Sequence, residues 1–179
     1  MVETINGETC PVCLAKTLTL AEEETDIPYF GKTFIFSMSC SSCNFHKSDI
    51  EAAEMKDPCK ITFEVTKEED MNIRVVKSSE ATLKIPQLKM SVTPGPSSEG
   101  YVSNIEGVIT RFEKVIENQR DNAEDDDEIK TTAKNLLKKI RKVKWGEMPV
   151  KIIIEDPSGN SAIISDKTII EKLKPSKKK

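Results

Sequence analysis

Two cysteine pairs, Cys10-Pro11-Val12-Cys13 and Cys40-Ser41-Ser42-Cys43, lie close together in the N-terminal third of the chain. Two Cys-x2-Cys knuckles in one short segment are typical of a chain that closes a tetrahedral tetrathiolate around one zinc ion. Because four thiolates fill the coordination shell, no position remains for a water molecule that the metal could activate. The sequence therefore predicts one structural Zn2+ site, whose ligands are Cys10, Cys13, Cys40 and Cys43.

The residues between these pairs predict a zinc ribbon, which we assign to residues 1–50. The spacing between the pairs suits a hairpin that runs through Leu18 to Glu24, continues in a loop and returns in a strand from Thr33 to Ser39. This hairpin would carry the second cysteine pair back to the first. The following segment, 48–58, is acidic, and we expect it to form a short helical connector.

Other cysteine chemistries fit the segment less well. Cys-Pro-x-Cys is also the form of a dithiol redox centre at a helix start, but residues 14–20 alternate like a strand. Iron in a tetrathiolate site would lead us to expect more aromatic neighbours than this segment has. Disulfides require an oxidising compartment, whereas the residues after Met1 are polar and do not resemble a secretion signal. We therefore expect reduced thiols and a cytoplasmic protein.

The remaining cysteine and the single histidine have no predicted role at the metal. His46 follows the second pair by three residues, and we expect it to be a surface residue on a solvated turn. Cys59 begins a strand-like run and is expected to behave as a small apolar residue. A nucleophilic cysteine would need a nearby base, which distant His46 does not supply.

Composition sets the outer limits on fold and function. The chain has 179 residues, enough for a small module plus one domain, and 37% of them are hydrophobic. Its sequence contains no apolar run long enough to cross a membrane. With 27 basic and 30 acidic side chains the net charge is -3, which argues against broad nucleic-acid binding through a basic surface.

Strands and helices alternate in the rest of the chain. A period of 3.6 residues predicts a helix from about 104 to 119, with Ser103 and Glu106 as a capping box, and a second helix in 129–140. The acidic run 124–128 precedes a lysine-rich helix end, an order that the helix dipole favours. The runs that predict strands before these helices are Ile61–Val65, Ile73–Val76, Ala81–Ile85 and Met90–Val92.

The C-terminal part predicts a closing β-hairpin. Apolar runs in 150–154 and 162–164 flank the polar turn 155–161, in which Asp156 can accept backbone hydrogen bonds and Gly159 can adopt a positive φ. We expect residues 171–179, which end in three lysines, to be a disordered basic tail.

These features together resemble the ZPR-type zinc-finger protein family, in a single-module, archaeal-like form. Two departures from the family pattern are Asn44 and Cys59, which stand where glycine is expected; Asn tolerates the left-handed conformation. The resemblance covers about Cys10 to Ile164. It is carried by the two cysteine pairs, Ile27-Pro28-Tyr29-Phe30, the run 76–86, Ile105-Glu106-Gly107 and the run 155–161.

The resemblance implies a mainly β fold with α: an N-terminal four-cysteine zinc ribbon and then a double-stranded β-helix domain at 51–170, with an inserted helical hairpin at about 104–144. It also implies that the protein binds translation elongation factor 1-alpha and assists its folding. Two alternatives remain, a ribosome- or RNA-associated ribbon and a thiol redox protein. An enzyme is not expected, because one histidine cannot build the multi-histidine metal sites that this fold can hold.

Two segments are hypothesised to contact a protein partner. The first places large apolar groups between the cysteine pairs, although the same groups could pack the ribbon against the second domain. The second is the polar turn before the last apolar run, whose composition a tight turn would also explain. The residues concerned are Ile27, Pro28, Tyr29, Phe30, Asp156, Pro157, Gly159 and Asn160.

Overall fold

The computed structural model describes residues 2–27, 31–54, 56–123 and 126–173. Its N-terminal part is a four-stranded antiparallel sheet in the order β1-β2-β3-β4. The strands β2 and β3 pair over ten residues each, from Leu18 opposite Cys40 to Ile27 opposite Gly31. The predicted ribbon hairpin is confirmed. The bounds of the strands are β1 (Val2–Glu8), β2 (Leu18–Ile27), β3 (Gly31–Cys40) and β4 (His46–Ala52).

The predicted helical connector at 48–58 is wrong, because its first residues belong to strand β4. Backbone pairing with β3, from Thr33 opposite Ala52 to Ser39 opposite His46, holds this acidic segment in extended form. Ile50 and Ala52 pack against the second domain, where they meet the next sheet. Tertiary contacts here override a local composition that favours no strand.

The second domain consists of a five-stranded sheet in the order β12-β5-β10-β7-β8 and a three-stranded sheet in the order β11-β6-β9. Two helices, α1 (Ile105–Asp121) and α2 (Asp127–Lys144), are inserted between β9 and β10. This confirms a mainly β domain with an inserted helical hairpin. The strands are β5 (Cys59–Val65), β6 (Arg74–Lys77), β7 (Thr82–Ile85), β8 (Met90–Val92), β9 (Tyr101–Asn104), β10 (Val150–Asp156), β11 (Ala162–Ile163) and β12 (Ile169–Lys172).

One apolar core joins the strands of this domain to both helices. Strand β10 alternates buried and more exposed residues, and its inward side chains belong to the same apolar core as the buried faces of α1 and α2. Burial of each large apolar side chain contributes roughly 1.5–3 kcal/mol. The largest fully buried side chains include Phe63, Ile109, Ile140, Ile152 and Ile154.

Neither described helix is long and apolar enough to cross a membrane.

Both predicted helices form, with corrections at their starts and on their faces. Asn104 caps α1, accepting from the amide of Gly107 at 2.8 Å, so the predicted cap at Ser103 is wrong by one residue. Val115 and Ile129 were expected on the buried faces but are 54% and 47% exposed. These two side chains line one surface pocket beside the turn that joins the helices.

The predicted closing hairpin is wrong. Strand β10 lies between β5 and β7, so both of its edges are already paired, and β11 pairs with β6 of the other sheet. The turn between them therefore crosses from one sheet to the other. Strand β12 pairs with β5, so Glu171 and Lys172, which we assigned to the tail, are part of the sheet. Residues 174–179 lie outside the described residues.

The crossing turn is fastened by a buried carboxylate. Asp156 is fully buried and accepts from the amide of Ser158 at 2.9 Å, from its hydroxyl at 2.7 Å and from the hydroxyl of Ser161 at 2.6 Å. Ser161 Oγ in turn accepts from the amide of Ser78 at 3.0 Å, just after β6. Gly159 has φ 68°, and a Cβ there would lie 2.3 Å from the carbonyl oxygen of Asp57.

Gly159→Ala should lower the free energy of unfolding by roughly 2–4 kcal/mol, because a side chain there is strained by the positive φ and collides with backbone. Urea unfolding followed by circular dichroism measures the change. The matched control is Gly95→Ala, since a Cβ at Gly95 meets no atom within 4 Å. Equal unfolding midpoints for the two variants would contradict this account of the turn.

Asp70 should make stability depend on pH. Burial raises its pKa, but hydrogen bonds from the amide and hydroxyl of Thr66, the charge of Lys167 and the amide of Lys67 outweigh burial and hold the pKa below its usual range. The stabilisation is therefore present above the unfolded-state pKa of about 3.9 and is lost as pH falls through the folded value. The difference in free energy of unfolding between wild type and Asp70→Asn should therefore shrink as the pH falls below about 4. A constant gap in urea titrations down that range would contradict it.

Candidate metal centre

Two knuckles of the same backbone geometry form the metal centre. In the first, the amide of Leu14 donates to the carbonyl of Cys10 at 3.0 Å, and in the second the amide of Asn44 donates to the carbonyl of Cys40 at 3.0 Å. Leu14 and Asn44 have φ of 61° and 58°, the left-handed conformation. The tolerance expected of Asn44 is confirmed, whereas the left-handed Leu14 could not be foreseen from its residue type.

The four cysteine sulfurs converge on a single point. Sγ of Cys10 lies 3.7 Å from Sγ of Cys43, Sγ of Cys13 lies 3.6 Å from Sγ of Cys40, and all four lie within 4.8 Å of one another. Zinc–sulfur bonds of about 2.3 Å in a tetrahedron place sulfurs about 3.8 Å apart. A disulfide would need about 2.05 Å. The four thiolates therefore fit one Zn2+ ion, as predicted.

Neighbouring groups act on the charge of these sulfurs. The hydroxyl of Thr17 lies 3.3 Å from Sγ of Cys40 and lowers the pKa of that thiol to about 6. At Cys43 the amide of Phe45 lowers the pKa, but desolvation and the other three thiols outweigh it and raise the pKa to about 12. Four thiolates at this spacing repel one another, so they need a cation between them.

The metal centre also supplies much of the interior of the ribbon. Cys10, Leu18 and Cys40 are buried, and Leu20, Met38 and Phe45 pack against them only partly shielded from solvent. A cluster this small buries too little apolar surface to order a sheet alone. Metal binding is therefore coupled to folding of the ribbon, which is the behaviour of a structural zinc site.

The two residues left outside the predicted site stay outside it. His46 is a surface residue as expected, but it begins strand β4 and does not lie on a turn, and its Nδ1 lies 3.0 Å from the hydroxyl of Ser39. Cys59 begins β5, where burial raises the pKa of its thiol and the charge of Asp156 raises it further. A thiol with a raised pKa is a poor nucleophile at neutral pH, in keeping with the apolar role expected for Cys59.

The first hypothesised partner segment lies almost entirely outside the described residues. Pro28, Tyr29 and Phe30 are among the residues that the structure does not describe, and Ile27 ends β2 opposite Gly31. The proposal that these side chains contact a partner stays a prediction.

The second hypothesised segment is mostly inside the protein. Asp156, Gly159 and Asn160 are buried, and Pro157 is the one exposed residue among the four that we named. The hydrogen bonds that Asp156 accepts explain the composition of this turn, because they hold the turn in place between the two sheets. Direct partner contact through this segment would rest on Pro157 alone.

Sequence reasoning overlooked an apolar surface next to the metal centre. Val12 and Leu14, on the first knuckle, are 64% and 74% exposed. Surface patches of this kind mark interaction sites when they are held rigidly. One feature of the sequence could have revealed this surface. Val12 is an apolar residue between two metal ligands, in a turn whose geometry requires no apolar side chain.

Cys40→Ser should abolish stoichiometric zinc binding, because a neutral hydroxyl replaces one of four thiolates and opens the shell. We expect about one zinc per wild-type chain and far less in the variant after dialysis, measured by elemental analysis. Cys59→Ser, which removes a cysteine outside the cluster, is the control and should keep its zinc. Full zinc content in Cys40→Ser would exclude the four-sulfur site.

Comparison with known proteins agrees with this architecture in both parts of the chain. The ZPR1 zinc-finger domain matches residues 2–58, and the ZPR1 jelly-roll domain matches residues 69–177. A ZPR1-like protein of Methanocaldococcus jannaschii is 39% identical over 166 residues, which cover 92% of this chain and 83% of the relative.

Eukaryotic relatives are more distant and longer. The zinc finger chaperone zpr1 of Schizosaccharomyces pombe is 31% identical over 142 residues, covering 78% of this chain and 30% of the relative. The human zinc finger protein ZPR1 is 32% identical, covering 78% of this chain and 31% of the relative. This chain thus matches about a third of each eukaryotic relative. With its four-cysteine zinc ribbon followed by a jelly-roll domain that carries a helical hairpin, the chain belongs to the ZPR1 family of zinc-finger proteins.

Proposed function

We propose that this protein is a zinc-dependent binding module that binds translation elongation factor 1-alpha in the cytoplasm and assists its folding. The observation that carries the proposal is the exposed apolar knuckle, where Val12 and Leu14 project beside the metal centre. The name of the fission-yeast relative, a zinc finger chaperone, supports a role with client proteins. The choice of elongation factor 1-alpha as client follows from the family resemblance.

A closed zinc site suits binding better than catalysis. Four sulfurs occupy the tetrahedral positions, so the ion would hold the knuckles and would leave no position for a reacting group. Val12 and Leu14 flank Cys13, which makes their orientation dependent on the metal. Rigid apolar side chains lose little entropy on binding and can act as anchors for a partner.

Charge in the ribbon disfavours the RNA alternative for this surface. Residues 2–27 contain six acidic side chains and one basic side chain, Lys16. Phosphate groups would be repelled by such a surface, since nucleic-acid affinity depends on neutralisation of phosphates. The acidic side chains are Glu3, Glu8, Glu22, Glu23, Glu24 and Asp26.

A thiol redox role is disfavoured by the same geometry that suits zinc. Each close sulfur pair joins one knuckle to the other, and the thiolates required to hold the ion are then unavailable for disulfide exchange. Titration of thiols with and without a chelator separates this alternative, because a metal site protects its four cysteines until the ion is removed.

Purified zinc-loaded protein should bind elongation factor 1-alpha from its own organism at low and at high salt, measured by isothermal titration calorimetry. Leu14→Asn should weaken binding about tenfold or more, because it removes an exposed anchor while keeping a residue that tolerates a φ of 61°. Asn44 already occupies the equivalent position of the second knuckle. The yield of soluble factor after dilution from denaturant, with and without the protein, tests the folding role.

Ile170→Asn is the matched control, since Ile170 is 68% exposed on β12, outside the ribbon. It should bind as wild type does, and Cys40→Ser should not bind. Absence of binding at both salt concentrations would reject the elongation-factor client. A pull-down from cell extract tests the nucleic-acid alternative. That alternative is favoured if RNA or ribosomes are recovered with the protein at low salt and are lost at high salt.

A further inference from the structure

A cleft of about 780 Å³ lies between helix α1 and the edge strand β8 of the jelly-roll domain. Its volume falls within the range of about 300–1,000 Å³ that is typical of ligand sites in proteins. Leu83, Val108 and Phe112 give it an apolar wall, and Val92 and Val115 contribute side chains that are 47% and 54% exposed. Neither the metal centre nor the proposed knuckle surface uses this cleft.

Two cations that line the cleft, exposed Arg111 and buried Lys77, each lie against the same aromatic ring. The guanidinium of Arg111 lies 4.2 Å from the centre of the Tyr101 ring, and Nζ of Lys77 lies 5.8 Å from it. Lys77 is only 5% exposed and donates to the carbonyl of Ser78 at 2.9 Å. Within the described ranges, neither cation belongs to an ion pair.

The positive charge of the cleft is not balanced by its lining. Glu99 is the one carboxylate that the described residues contribute, and it pairs with Lys47 at 3.2 Å. Burial lowers the pKa of Lys77; the charge of Asp156 opposes this shift, and the charge of Arg111 has a smaller lowering effect on the pKa. The net charge of the chain is -3, so this cleft is a local exception. An anion in the cleft would offset the charge of both cations and accept hydrogen bonds from their free donors.

Strand β8 presents its backbone edge to the same cleft. Side chains on a strand alternate between its two faces, yet all three residues of β8, Met90 to Val92, line the cleft. This pattern indicates that the cleft meets the strand from the side. Since β8 pairs with β7 on one side and ends the described sheet on the other, its outer backbone groups are free to pair with another strand.

We propose that this cleft binds an extended peptide segment of a partner protein, in which an Asp or Glu side chain is flanked by apolar side chains. The carboxylate would lie in the cleft within reach of Lys77 and Arg111, the peptide backbone would pair with β8, and the apolar side chains would contact Leu83 and Phe112. An apolar cleft explains the flanking residues, the paired cations explain the carboxylate, and the strand edge explains the extended form. The proposal deepens the proposed function, because it rests on this protein being a protein-binding module.

Selection of a random-peptide display library against the full zinc-loaded protein tests the proposal. We expect the enriched peptides to share an acidic residue between apolar ones. A synthetic peptide of the enriched sequence should bind about tenfold more weakly to Arg111→Gln than to wild type, because one charge-assisted contact is lost. Bound peptide should also slow hydrogen exchange of the β8 amides.

Lys142→Gln is the matched control, because it removes an exposed positive charge from α2, away from the cleft, and should leave peptide affinity unchanged. Thermal unfolding of both variants verifies that they fold. Enriched peptides without acidic residues, or equal affinity for Arg111→Gln and wild type, would overturn the proposal. Binding of decanoate without enrichment of any peptide would also overturn it, by identifying a site for small carboxylates.

The elongation-factor experiment is independent of this selection. If the factor binds while the library yields no acidic consensus, the cleft proposal fails and the proposed function stands. If peptides bind the cleft while the factor does not bind the protein, the choice of client fails and the cleft proposal stands.

Discussion

Convergence of four cysteine sulfurs within 4.8 Å is the constraint on which the rest of the ribbon depends. Each sulfur is delivered by a knuckle that turns through one left-handed residue, Leu14 or Asn44. The long β2–β3 pairing brings the two knuckles together, and a cation removes the repulsion that four thiolates would otherwise feel. Zinc therefore substitutes for the apolar core that so small a sheet lacks.

Strand β4 connects the zinc-ordered ribbon to the jelly-roll domain. Asp49 accepts a hydrogen bond from the amide of Gly100 at 2.7 Å, and a Cβ at Gly100 would lie 2.5 Å from the carbonyl oxygen of Ile50. Ile50 and Ala52 also belong to a small apolar cluster with two residues of the second domain. The ribbon is thus joined to the jelly roll by close backbone contact at β4.

This joint lies next to the cationic cleft. Ser48 of β4 and Glu99 of the adjoining loop both line the cleft, and Lys47 pairs with Glu99. A ribbon disordered by loss of zinc would therefore remove part of the cleft wall as well as the exposed knuckle. The two proposed surfaces differ in chemistry, since one is an apolar knuckle on an acidic ribbon and the other is a positively charged cleft. A single client could contact both.

Cysteine spacing was sufficient to predict the metal, its four ligands and the ribbon hairpin, because a Cys-x2-Cys pair specifies local geometry that few other sites share. Apolar periodicity was sufficient for both helices and for most buried strands. Strands β1 and β12 were missed because every residue in them is exposed, so they are held by backbone pairing and leave no apolar pattern. Strand β4 was missed for a related reason. It is an edge strand held by backbone pairing with β3, and its acidic composition gives no apolar pattern that predicts a strand.

Pairing between distant segments was decided only in the folded protein. Strand β10 has neighbours on both edges, so the hairpin predicted from the turn that follows it could not form. The turn is buried and connects the two sheets instead. The ring of Tyr101 likewise lies against both Lys77 of a strand and Arg111 of a helix, which are far apart in the chain. Local spacing specifies a metal site because its ligands come in adjacent pairs, whereas sheet order and clefts depend on long-range contacts that no single segment encodes.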